Sequence, residues 1–154
     1  MVSTGAGATG RAGRVRPDHN KQLVRQIYGD IRSGGRLELV DEVLHPGFAA
    51  HDPTALPAEL RGRQAFKEQT LAYRAVFAGL RFTIESLVAE GDEVVARWTA
   101  SGTHTGSLAG ESPTGRQVVT SGFGSWRVSD GRIIEHFGAF DIMGLLRQIG
   151  ALPP

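Results

Sequence analysis

The stretch VVTSGFGSWRVSDGRIIEHFGAFD, residues 118–141, decides the fold. Val118–Val128 reads as a strand in the period-two half of the chain. Ser129-Asp130-Gly131 is a hairpin turn, and Arg132–Asp141 returns as a second strand. Upstream the same period continues. Leu80, Phe82 and Ile84 alternate with polar neighbours, Glu90-Gly91-Asp92 turns the chain, and Val94–His104 forms a long strand with Val94, Ala96, Trp98, Ala100, Gly102 and His104 on one face. Before Gly79 the period is helical. Pro17 and Asp18, the expected N-cap, open a helix whose buried face is Val24, Ile27, Tyr28 and Ile31. Ser33-Gly34-Gly35 stops it. A short second helix covers 36–44, Phe48–His51 is extended, 52–60 is a loop, and a third helix spans 62–78 with Phe66, Thr70, Tyr73 and Phe77 on one face. Ile142–Ile149 closes the chain as a short helix.

Helices first and hairpins second predict an α+β domain. Glycines 102, 122, 124 and 138 lie inside strands, where glycine marks bends or bulges. The expected architecture is a cone: a curved mixed or antiparallel sheet packed on three N-terminal helices, enclosing an apolar pocket. Residues 17–154 form this single domain. Residues 1–16, rich in Gly, Ala, Thr and Arg, read as a disordered tail. Gly5, Gly7 and Gly10 match the spacing of a dinucleotide fingerprint, but no strand precedes them and the match is spurious.

The chain of 154 residues carries 17 basic and 16 acidic side chains, net +1, with no cysteine. This balance gives no pull toward nucleic acid or an anionic membrane. Disulfides and thiolate chemistry are excluded. No run approaches the roughly 20 apolar residues of a membrane span, and no apolar h-region suggests a secretory signal. A cytoplasmic protein is expected, with a small hydrophobic molecule as partner.

Parity on the last strand puts Ile134, His136, Gly138 and Phe140 on one face, and Ile133, Glu135, Phe137, Ala139 and Asp141 on the other unless a bulge intervenes. An imidazole among apolar neighbours is a candidate acid–base group; its alternative is a core histidine satisfied by backbone. His104 shares parity with Trp98 and either reaches inward or ends its strand half solvated. His51 precedes Asp52-Pro53; the pair lines the pocket mouth, or Asp52 starts a turn. His19 and His45 read as surface or cap residues. Without HExxH or His-x-His spacing no metal site is expected, and no Gly-x-Ser-x-Gly supports a serine hydrolase. The outer faces mix Val95, Thr99, Val119 and Phe123 with Arg97 and Arg127, a surface suited to a homodimer.

The run Gly102-Thr103-His104-Thr105-Gly106, then Gly110 and Pro113-Thr114-Gly115-Arg116, resembles the SnoaL-like polyketide cyclases of the nuclear-transport-factor-2-like superfamily. So do Asp130-Gly131-Arg132-Ile133-Ile134-Glu135-His136-Phe137, Asp141, the ending Gly144–Gly150, and His51-Asp52-Pro53; the similarity spans about 18–152. The resemblance implies the α+β cone, dimers through the outer sheet face, and intramolecular aldol ring closure without metal or organic cofactor. In that chemistry a strand carboxylate removes a proton between carbonyls. The position of that carboxylate is Gly138 here, and Asp141, a common family position, is aimed by parity to the other face. The expected catalytic set is therefore His136, with Asp141 and His104. His51, Tyr73, Trp98, Trp126, Gly138 and Phe140 are the expected substrate contacts. Two routes follow. His136 moves the proton, or none moves and the pocket guides a cycloaddition, Gly138 making room for substrate. A non-catalytic binding domain, and an isomerase or hydrolase of a small lipophilic compound, are the other readings.

Overall fold

The period-two segments pair as one sheet of six strands in the computed structural model, which describes residues 16–154. In chain order the elements are α1 (Pro17–Gln26), running directly into a π-helix (Ile27–Ser33); a short 3₁₀ turn (Leu37–Leu39) and α2 (Val40–Val43); β1 (Leu44–His51); β2 (Glu59–Arg61); α3 (Arg63–Val76); β3 (Phe77–Glu90); β4 (Glu93–His104); β5 (Gln117–Ser129); β6 (Arg132–Phe140); and α4 (Ile142–Gln148). The strand order is β2-β1-β6-β5-β4-β3. All neighbours are antiparallel except β1 and β6, which run parallel. The expected α+β cone is thus the observed one, a mixed open sheet. The boundary expected between tail and domain falls at the edge of the described residues, and the tail itself lies outside them.

Pro17 sits at the start of α1, where its missing N–H costs nothing, and Asp18 lies in the first turn rather than at the N-cap, which is Arg16. The stripe Val24, Ile27, Tyr28 and Ile31 is buried as expected. The helix then widens. Gly34 N–H donates to Gly29 O at 2.9 Å, a π-type bond five residues back. Gly35 leaves it at φ +73°, and the Arg74 guanidinium lies against that glycine. Arg74 donates to the carbonyls of Arg32 and Ser33, satisfying acceptors that the helix end leaves free.

The concave face of the sheet is built from rows. Val94, Trp126 and His136 are neighbours across β4, β5 and β6; so are Ala96, Gly124 and Gly138, and so are Trp98, Gly122 and Phe140. A row of minimal side chains therefore lies between two aromatic rows. A β-bulge between Arg127 and Val128 pairs Ile133 with Val128 and Glu135 with Arg127. It turns Ile133 into the core, fully buried, on the same side as His136; simple alternation had put Ile134 there. β2 was not expected. It is three residues long, too short to show a period, and Leu60 is its one buried side chain.

Most of the core lies between the helices and this concave face. A second, smaller cluster of Val118, Leu145 and Ile149 holds α4 against β5. The Gln148 side chain fastens it: its amide donates to Val119 O at 2.7 Å and its oxygen accepts from Val119 N–H at 2.9 Å. The convex face leaves Val95, Val119, Phe123 and Phe137 exposed. No helix among the described residues is long and apolar enough to cross a membrane.

Candidate active site

A cavity opens between the sheet's concave face, the π-helix, α3, α4 and the loop after β1. The empty space between its walls is about 1170 Å³, solvent at the mouth included. Its walls are mainly apolar, and Tyr73, Trp98, Trp126, His136 and Phe140 are among them, as the sequence reading expected.

The polar groups converge at the row of small residues. A Cβ added at Gly138 would lie 2.6 Å from His136 Nε2 and 3.1 Å from Asp52 Oδ2; one at Gly124 would lie 2.7 Å from Tyr28 Oη and 2.8 Å from His136 Cε1. An imidazole, a carboxylate and a phenol thus share the space that two facing glycines vacate. The expectation that Gly138 enlarges the pocket for substrate is corrected here. Gly138 is not a wall of the cavity, and the room it leaves is taken by the protein's own His136 and Asp52.

Asp52 arrives through the parallel pairing of β1 with β6. Ala50 lies beside His136 and His51 beside Phe137, so the next residue, turned to the inner side, comes level with Gly138. Its Oδ1 accepts from Thr54 N–H at 2.8 Å and from the Thr54 hydroxyl. The Thr54 oxygen accepts in turn from Phe140 N–H at 3.0 Å, tying the loop to β6. Oδ2 is left for the cavity side. Asp52 is both of the things the sequence allowed, the start of a turn and a residue of the pocket.

His136 is buried and stacks on Trp126, ring centroids 3.7 Å apart at 19°. Its Nδ1 lies 3.2 Å from Ser125 O, so Nδ1 carries the proton and donates it there. Nε2 is then an acceptor facing Gly138. Burial, with help from the Arg32 charge, lowers its pKa from 6.5 to about 3. The imidazole is neutral at any working pH. The sign of the linkage follows: the unfolded chain takes up this proton below about pH 6.5 and the native one only near 3. Stability should therefore fall by roughly 1.4 kcal/mol per pH unit from this group between those values. A His136→Gln variant should lose that part of the acid sensitivity in urea unfolding at pH 4 and pH 7. An unchanged difference between the two pH values would contradict it.

Tyr28 lies on the π-helix. Trp126 Nε1 donates to its oxygen at 3.1 Å, and the Trp98 indole also acts on it. Burial raises its pKa, so the phenol keeps its proton and can donate it into the cavity. One helical step on, Arg32 is buried, 8% exposed, and also lines the cavity. Both were missed as site residues. Their signal was available: Arg32 stands four residues after Tyr28 on the buried stripe of the first helix, where a charge is out of place.

Three expected site residues are elsewhere. Asp141 is the N-cap of α4, accepting from Gly144 N–H at 2.8 Å, and is exposed; the strand ends at Phe140 and the carboxylate serves the helix. His104 is fully buried but outside the cavity, its Nδ1 accepting from Thr114 N–H at 3.2 Å beneath Phe77. His51 is on the convex face, hydrogen-bonded to Glu59 and Glu135 and stacked on Phe137 at 4.7 Å.

The family model for SnoaL-like polyketide cyclases matches residues 22–149. Nogalonic acid methyl ester cyclase of Streptomyces nogalater is 33% identical over 118 residues, 75% of this chain and 87% of that protein. Aklanonic acid methyl ester cyclase DnrD of Streptomyces peucetius is 33% identical over 133 residues, covering 83% and 88%. The solved structure of TsrD from Streptomyces laurentii superposes with a TM-score of 0.80 at 27% identity, over 90% of this chain and all of that one. With a matching family model, a superposable fold and relatives of this identity and coverage, the chain belongs to the SnoaL-like polyketide cyclase family.

Proposed function

We propose that the chain closes a ring in a polyketide-type intermediate by an intramolecular aldol reaction, with Asp52 as the base. The observation that carries this reading is the free Oδ2 of Asp52 beside Gly138, on the wall of an apolar cavity. The carboxylate that the resemblance expects on the last strand is replaced by Gly138, and Asp52 brings its Oδ2 to 3.1 Å from where a Cβ at that position would lie.

In the reaction Asp52 takes a proton from the carbon between two carbonyls, and the electron pair moves onto a carbonyl oxygen as an enolate. The enolate carbon attacks a second carbonyl of the same molecule. The new alkoxide takes back the proton that Asp52 removed, which restores the base and makes substrate and product isomers. Tyr28, a phenol that keeps its hydrogen, stands beside this base to hydrogen-bond the developing oxyanion. His136 Nε2 accepts from an enol or phenol hydroxyl of the substrate and orients it. The apolar wall removes water, which strengthens both contacts and folds the chain into a reactive shape. These steps need no metal or organic cofactor. Cycloaddition guided by shape alone is the weaker reading, because the space at Gly138 holds a base and an imidazole rather than substrate.

The relatives are named for methyl esters of aklanonic and nogalonic acids, and a 1,3-dicarbonyl ester or acid of that general kind is the substrate to offer. The test is incubation of the purified protein with an aromatic 1,3-dicarbonyl compound bearing a second ketone. Conversion to an isomer of equal mass, faster than in buffer, is expected; binding without conversion across a series of such compounds would overturn the reading. The proposal includes pairing of two copies over Val95, Val119, Phe123 and Phe137, and sedimentation as a monomer at micromolar concentration would refute that part.

A further inference from the structure

Arg32 is a buried cation without a buried anion. No carboxylate among the described residues lies within 4.0 Å of it. Its one hydrogen-bond partner there is neutral: Nη2 donates to Gln69 Oε1 at 3.2 Å. Its Cζ lies 4.7 Å from the Phe66 ring centroid and 5.4 Å from that of Tyr73. Phe66, Gln69 and Tyr73 are at i, i+3 and i+7 on α3, one stripe that grips the guanidinium by its faces and one N–H. Arg74 holds the backbone carbonyl of Arg32 from behind. The rest of the fork belongs to the cavity, of which Arg32 is a wall.

Burying a guanidinium is costly unless an anion answers it. Burial does lower the Arg32 pKa, yet an arginine stays protonated at any working pH. Asp52, across the cavity, acts on this charge only through space. A carbonyl would offer a dipole; a carboxylate offers a full charge and two oxygens that match the fork.

We propose that Arg32 is an anion-recognition residue, and that the substrate of this cavity carries a free carboxylate, held by Arg32, on an aromatic or polyketide skeleton. This rests on the ring-closing reading for the skeleton but not for the anion. It also sets this chain apart from the relatives named for methyl esters, whose substrates are masked at that group.

The chain has two tryptophans, Trp98 and Trp126, and both are walls of the cavity, so intrinsic fluorescence reports its occupancy. The probes are 2-naphthoate and methyl 2-naphthoate, of equal ring size and opposite state of ionisation. The wild-type protein should bind the acid about tenfold or more tighter than the ester. Arg32→Met should bring the acid's affinity down to the ester's. Should that variant fail to fold, Arg32→Lys keeps the charge without the fork and should narrow the preference several-fold. Equal binding of acid and ester by the wild type overturns the inference. So does a preference that survives Arg32→Met, or that is unchanged in Arg32→Lys. Turnover is read separately. Acid binding through Arg32 with no ring closure in any substrate would sink the cyclase reading alone. Closure of a neutral ester without acid preference would sink this inference alone.

Discussion

Asp52→Asn should lower the rate of ring closure by about 10²–10⁴-fold, the usual worth of a positioned general base, with melting temperature little changed. The amide oxygen can keep both Thr54 contacts that Oδ1 now accepts, so the turn and its tie to Phe140 remain. Only the proton acceptor at Oδ2 is lost. The loss should appear in kcat more than in KM, since the group acts on the transition state. His136→Gln, by contrast, removes an orienting acceptor whose own pKa is far too low to supply a basic limb near neutrality. If Asp52→Asn turns over at the wild-type rate, Asp52 is not the base, and shape-guided closure becomes the better account. If both variants are inactive but folded, a pH–rate profile of the wild type separates their roles. The profile should show no limb at the ordinary histidine value, because burial keeps the His136 imidazole neutral there.

Gly138→Asp should abolish activity, although it puts a carboxylate where the family keeps one. The new Cβ would sit 2.6 Å from His136 Nε2 and 3.0 Å from His136 Cε1, with Asp52 Oδ2 at 3.1 Å. The imidazole has little freedom to retreat, because Trp126 stacks against it and Ser125 O holds Nδ1. Overpacking of this kind costs about 1–3 kcal/mol, and a second carboxylate beside Asp52 adds like-charge repulsion. Urea unfolding and the ring-closure assay read the two effects. A folded, active Gly138→Asp would mean that position 138 still accepts the family's carboxylate and that Asp52 is dispensable. The double variant Gly138→Asp with Asp52→Ala removes the repulsion, and should recover stability before it recovers rate.

The inner face was legible because it is a matter of local period. Alternation named Trp98, His136 and Phe140, and the stripe of the third helix named Tyr73; all four line the cavity, as does Trp126. Alternation fails at a bulge, which is why Ile133 and not Ile134 is the core residue beside His136. Parity does not say where a strand ends or how far a cavity reaches. Asp141 was weighed as a strand residue and is a helix cap, and His104, buried on the inner parity of its strand, lies beyond the cavity against Thr114. The outer face is equally a reading of alternation: Val95, Val119 and Phe123 are exposed, while Thr99 and Arg127 are half-buried.

Arg32 marks a different limit. A charged residue at a buried helical position reads from sequence as either a snorkelling surface residue or a breach of the stripe. Tertiary packing decides: Tyr28 and Arg32 both line the cavity, and α3 supplies aromatic faces and an amide to receive the guanidinium. By itself the sequence determined the α+β order, the turns, the two faces of each long strand and the family, because helix and strand periods and turn chemistry are written within a few neighbouring residues. Only the tertiary structure decided that Asp52 lies beside Gly138 on the cavity side, and that His51 lies on the convex face. That choice rests on the parallel register of β1 against β6, a contact between distant parts of the chain in which a shift of one residue exchanges the inner side chain for the outer one.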